Sequence, residues 1–305
     1  MPDLVVHNAM GDRVLARLPE EIRNGIDNNA FHVGVLGPDP FFFYRFFALP
    51  FTNGVDKRGK TMHHKRCGAF FMQLARECTG EEGFDERKLK AYQRGFDEVD
   101  LKASQKGFDE VDLKAFSYFE GFLCHYAMDS TAHPYINAVA AKRPGMHTAI
   151  ERKLDRIELK RQRKELRDIP KFLRQFAYFP EIRRAMKAVY GWDDDKFYDG
   201  YRHMKIFQWL IKDQHGWLAA ITDFSAGLIG AVTGQKADFI RALSYRNHMA
   251  DDLELDRFDQ LEREAVEFAV ELITAADGYR LGQVTEQELA EKIGNRAYSG
   301  GQAEE

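Results

Sequence analysis

Apolar residues recur at three- and four-residue spacings from about Ala69 to Leu74, from Phe116 to Met128, from Ile150 to Leu166 and from Phe258 to Ile273, and strict two-residue alternation is nearly absent. This periodicity gives each segment one apolar stripe to bury, which predicts helices. Pro38, Pro134, Pro144, Pro170 and Pro180 punctuate the stretches and predict helix boundaries. Typical helix lengths then give an all-α bundle of about eight to eleven helices. The longest apolar stretch, Trp217 to Val232, is interrupted by Asp223 and Ser225 and is short for a bilayer, so it predicts a buried helix rather than a membrane span.

A twelve-residue tandem repeat interrupts the first half: Gly83-Phe84-Asp85-Glu86, Gly95-Phe96-Asp97-Glu98 and Gly107-Phe108-Asp109-Glu110, each followed by Leu-Lys-Ala at Leu89, Leu101 and Leu113. The oxygen ligands of a calcium loop are not at the required offsets. A local duplication lengthening a helical insertion or surface arm at 83–118 is the reading that follows. The mixed-charge run from Arg152 to Arg174 reads as a solvated helix face with i,i+4 pairs.

Composition narrows the function classes. Lys plus Arg (44) nearly balance Asp plus Glu (48), leaving a formal charge of −4 and no global attraction to nucleic acid or an anionic membrane. Cys67, Cys78 and Cys124 are scattered, without a CxxC pair, and read as buried thiols in a reducing compartment. The start of the chain lacks a basic, apolar leader, which predicts a cytoplasmic protein. The small polar end, residues 299–305, is expected to be a frayed, disordered tail. Residues 1–160 are expected to form a metal-binding helical core carrying the repeat insertion, and 161–298 the helical remainder of the same domain.

The chemistry is concentrated in Cys124-His125-Tyr126-Ala127-Met128-Asp129-Ser130-Thr131-Ala132-His133-Pro134. On a helix His125 and Asp129 project from one face, with His133 at the end that Pro134 is expected to enforce. Phe119, Phe122, Leu123 and Tyr126 bury this helix, and an ionised Asp there needs a compensating cation. A second pair at the same spacing, His147 and Glu151, follows after the loop through Pro144-Gly145. Imidazole and carboxylate without thiolate suit zinc, and also manganese or iron.

These ordered motifs resemble the bacterial zinc-dependent phospholipase C family, the group that includes the alpha-toxin catalytic domain and shares a fold with the single-strand-specific zinc nucleases. The resemblance runs from about His7 to Glu151. His125, Asp129, His133, His147 and Glu151 match the family pattern in order and closely in spacing. The segment Gly37-Pro38-Asp39 looks like the family's Gly-Pro-Asp, which makes Asp39 a metal ligand. The next histidine is His63 or His64, with His63 preferred from its distance to Phe70-Phe71. His7 takes the place of the family's N-terminal histidine. The resemblance implies one zinc held by Asp39, His63, His125 and Asp129, a second by His133, His147 and Glu151, and a third by His7 with Asp129 bridging. Secreted members complete that third site with an N-terminal Trp. Here no Trp precedes Trp192, so Asp3 or water would substitute, or two zinc ions would be held rather than three.

The implied reaction is metal-assisted hydrolysis of a phosphodiester, a phospholipid being one such substrate, with Asp39 or Asp129 as candidate general base. A nuclease or nucleotide phosphohydrolase on the same fold is the first alternative, and Phe41, Phe42, Phe43 and Tyr44 are its candidate stacking residues. The same four residues would also serve as core or acyl-chain contacts. The second alternative is a metal-stabilised scaffold whose repeat arm binds a protein. Oligomeric state and head group have no signal in the sequence.

Overall fold

The computed structural model describes residues 4–46, 54–79, 110–175, 179–211 and 253–305, with scattered positions between 217 and 250. In chain order the helices are α1 (Leu4–Arg17), α2 (Glu20–Arg23), α3 (Asn28–Gly34), α4 (Pro40–Phe43), α5 (Asp56–His64), α6 (Cys67–Thr79), α7 (Glu110–Ala140), α8 (Met146–Arg161), a 3₁₀ segment (Leu166–Phe172), α9 (Pro180–Tyr190), α10 (Lys196–Ile211), α11 (Leu255–Arg280) and α12 (Glu286–Ile293). The protein is an all-α bundle, and among the described residues there is no strand. These segments exceed the expected number of helices because α2 and α4 are single turns.

The bundle is organised around α7, which packs against α11 on one side and α3 on another. Its middle is buried all round: Tyr118, Phe119, Phe122, Leu123, Tyr126 and Ala127 are all inaccessible. Such a helix gains stability from packing rather than from an amphipathic stripe. The α3 crossing brings backbone against backbone. A Cβ on Gly34 would lie 2.0 Å from the Tyr118 carbonyl oxygen, and one on Gly121 would lie 2.0 Å from that of Phe31. Only glycine at both positions allows α3, and the Gly37-Pro38-Asp39 turn after it, to approach α7 this closely.

Three expectations need correction. Pro134 does not end a helix; α7 runs through it to Ala140. Proline removes one ladder hydrogen bond, but Ala132 and Ile136 on either side remain buried, and this packing holds the helix together. The Trp217–Val232 stretch is not wholly buried, since Trp217 and Ile221 are exposed; most of the stretch lies outside the described residues. No helix among the described residues is long and apolar enough to cross a membrane.

The third correction concerns the C-terminal segment, which is not frayed. Its main chain is pinned to the end of α5: Tyr298 N–H donates to the His63 carbonyl and Glu304 N–H to that of His64, both at 2.8 Å. Composition alone could not show that the carbonyls at the end of α5 need these donors. The repeat lies outside the described residues except for its last positions, which enter α7. Cys67, Cys78 and Cys124 are buried thiols that are not joined in disulfides.

Candidate metal centre

Four helices and one turn converge on a cleft of ≈ 170 Å³ whose lining includes His7, Asp39, His63, Asp129, His133, His147 and Glu151. On α7, His125, Asp129 and His133 are spaced four apart and share one face, as predicted, although it is the continuation of the helix that keeps His133 there. Asp129 is the hub. Its Oδ1 lies 3.2 Å from His7 Nε2, and its Oδ2 lies 3.2 Å from His125 Nε2, 3.4 Å from His63 Nε2 and 3.4 Å from His133 Nδ1. His7 comes from the first turn of α1 and stacks on His125 with ring centroids 4.4 Å apart. His147 and Glu151, on the first two turns of α8, face each other at 2.8 Å.

Three of the histidines are aimed by their other nitrogen. His63 Nδ1–H donates to the Gly59 carbonyl at 2.6 Å, His125 Nδ1–H to the Val35 carbonyl at 3.1 Å, and His147 Nδ1–H to Asn137 Oδ1 at 3.1 Å. That arrangement leaves Nε2 of each ring facing a carboxylate with its lone pair available, the pattern of metal-ligating histidines. Gly37 makes the His125 placement possible. It holds φ +51°, and a Cβ there would fall 2.3 Å from the imidazole.

The ligand-type atoms assemble as His7–His125–Asp129, Asp39–His63–His125 and His133–His147–Glu151, each set within 4.8 Å. All eight residues singled out from the sequence are therefore in one place. His63, rather than His64, turns inward; His64 is exposed and meets Ser299. Of the four aromatics in and after α4, Phe41 and Phe43 are core and Tyr44 is buried. Phe42 alone lines the cleft, 5.5 Å from the His63 ring. Asp3 lies outside the described residues.

The profile of the zinc-dependent phospholipase C family matches residues 6–204. The chain belongs to this family. Comparisons with curated proteins and with solved structures give no match. The family's zinc dependence can be tested against the donor set here, and the two agree. Among the described residues, Asp39 and Asp129 are buried without a Lys or Arg in contact, a costly arrangement unless a cation is supplied. His7 Nδ1 and His125 Nε2 are buried without a hydrogen-bond partner.

The electrostatics carry the same sign. Burial opposes a charge on His63, yet Asp129 and Asp39 push its pKa up to about 10. Asp129 is held well below the usual carboxylate range by His133 and His125 in spite of its burial. A potential that holds a proton this tightly also attracts a divalent cation. Burial, with His147 beside it, pushes His133 down to about 4 and keeps its imidazole in the neutral, lone-pair-bearing form.

The residues that support the site stand out little in the sequence. Asp155 Oδ1 accepts from the Val5 and Val6 N–H groups at 2.9 and 3.1 Å, anchoring the start of α1 and with it His7. Tyr245 Oη donates in turn to Asp155 Oδ2 at 3.1 Å. Asp155 had a signal: it stands four residues after Glu151 on the same helix. Tyr245, distant in sequence, had none.

Proposed function

We propose that the chain is a zinc-dependent phosphodiester hydrolase of phospholipase C type, acting on phospholipid-like substrates at this cleft. The observation that carries the reading is Asp129, one buried carboxylate facing four imidazoles that belong to three adjoining ligand sets. Asp39, His63, His125 and Asp129 would hold one zinc ion, His133, His147 and Glu151 a second, and His7 with Asp129 a third. When bound, zinc lowers the pKa of water and offsets the charge that develops on the phosphoryl oxygens.

The protein's own groups then divide the work. Water attacks phosphorus and gives up a proton, the phosphorus–oxygen bond to the leaving alcohol breaks, and the departing oxygen takes up a proton, so that a phosphomonoester and an alcohol are released. Asp129 is fixed by His7, His63, His125 and His133, which makes it a weak base. Asp39 faces only His63 at 3.5 Å and His125 at 4.0 Å and is the better acceptor for the proton of the attacking water. Phe42 and Ile136 border the cleft and offer apolar contact to the substrate.

The nuclease alternative wants stacking aromatics, and Phe42 is the one aromatic of that segment that lines the cleft. The test is hydrolysis by zinc-loaded protein of phosphatidylcholine vesicles, a chromogenic phosphodiester and single-stranded DNA. Release of phosphocholine or of the chromophore is expected, together with a fall of about a hundredfold or more in kcat for Asp39→Asn assayed at saturating zinc, since Asp39 would also hold the metal. Turnover of DNA alone would favour the nuclease reading, and turnover of none of the three would leave the scaffold.

A further inference from the structure

The segment after α12 lies outside the residues matched by the family, yet it touches three of the candidate ligands or their neighbours. α5 is only nine residues long, and its last carbonyls have no partner within the helix. Tyr298 N–H and Glu304 N–H supply donors to the His63 and His64 carbonyls, and Arg66 N–H returns a bond to the Glu304 carbonyl at 2.7 Å. Lys65 and Glu304 add an ion pair at 2.6 Å. The segment is held in shape by its own hydrogen bonds, from Ala303 N–H to the Asn295 carbonyl and from Ala297 N–H to the Gly301 carbonyl, both at 2.9 Å.

From this frame the Tyr298 ring points inward, 1% exposed. It lies 4.7 Å from the His63 ring, 5.7 Å from His125 and 5.2 Å from Tyr126. Two residues on, Gly300 has φ +92°, and a Cβ there would come within 2.6 Å of Pro134 Cγ, next to His133. Ser299 Oγ, 3.2 Å from His64 Nδ1, forms part of the cleft wall.

We infer that residues 295–304 are a positioning element of the metal centre, seating His63 through Tyr298 and through the main-chain clamp on the end of α5. Tyr298 does not supply a ligand; its ring packs against the His63 ring and holds it in place. The inference rests on the ligand assignment proposed above.

The test is to strip the purified full chain of metal and titrate zinc back against a chromophoric chelator, with His63→Ala as the reference that identifies the Asp39–His63–His125 site. Tyr298→Ala is expected to weaken that site by about 10–100-fold, the usual effect of removing a partner that orients a ligand. The His133–His147–Glu151 site should keep its affinity. Tyr298→Phe should titrate as the parent, because the ring and not the hydroxyl does the seating. Tyr298→Leu, which leaves a smaller cavity beside His63, should weaken the same site to a lesser degree and serves if Tyr298→Ala does not fold. Unchanged titration of Tyr298→Ala or equal weakening at both sites, with His63→Ala losing one metal, would overturn the inference. Full metal uptake by His63→Ala would instead overturn the ligand assignment on which it rests.

Discussion

Asp129→Ala should abolish hydrolysis and release most of the bound zinc. Disturbing even an outer partner of a metal ligand typically costs about 10–100-fold in affinity or activity, and Asp129 faces His7, His63, His125 and His133 directly. Its loss removes the only carboxylate of the set built on His7, which should empty, and one of the two carboxylates facing His63, whose set should hold zinc far more weakly. The set formed by His133, His147 and Glu151 keeps its own carboxylate and should retain metal, though weakened. Elemental analysis beside a hydrolysis assay checks this. Retention of full metal content would mean that Asp129 is a structural carboxylate.

Chelation should destabilise the protein by roughly 3–5 kcal/mol, the cost of leaving a buried charge uncompensated, which corresponds to a fall in Tm of about 10 °C. The effect should also depend on pH. In the metal-free protein a proton on His63 takes over part of the role of the cation, since Asp129 and Asp39 raise its pKa to about 10 against the cost of burial. A group whose folded pKa lies above its unfolded value contributes stability that is complete below the unfolded value, near 6.5, and lost as pH rises toward 10. Zinc binding runs the other way, because the ligands must shed protons. The gap in Tm between loaded and chelated protein should therefore widen from pH 6 to pH 9. A gap that narrows over that range would contradict the assignment of His63.

The helical class was legible because apolar residues repeat at three and four positions, and α6, α7, α8 and α11 formed where that pattern runs. The two pairs His125/Asp129 and His147/Glu151 were legible for a related reason: four-residue spacing alone places them on a common face. His133 was placed in the right neighbourhood on a wrong premise, since the helix passes through Pro134 instead of stopping there. Asp39, His7 and His63 carry no local signal; only the family resemblance raised them, because they reach the cleft through long-range packing of α1, α4 and α5. The C-terminal segment was misread because small polar residues usually fray, whereas here their main-chain N–H groups meet the free carbonyls of a short helix. That pairing is a property of the folded backbone and leaves no trace in composition.

The central claim is that the buried carboxylates and histidines around Asp129 form a zinc centre of at least two ions. Elemental analysis of the purified chain, at neutral pH after zinc in excess and removal of free metal, tests it most directly. Two or three zinc ions per chain are predicted; fewer than one would contradict the account.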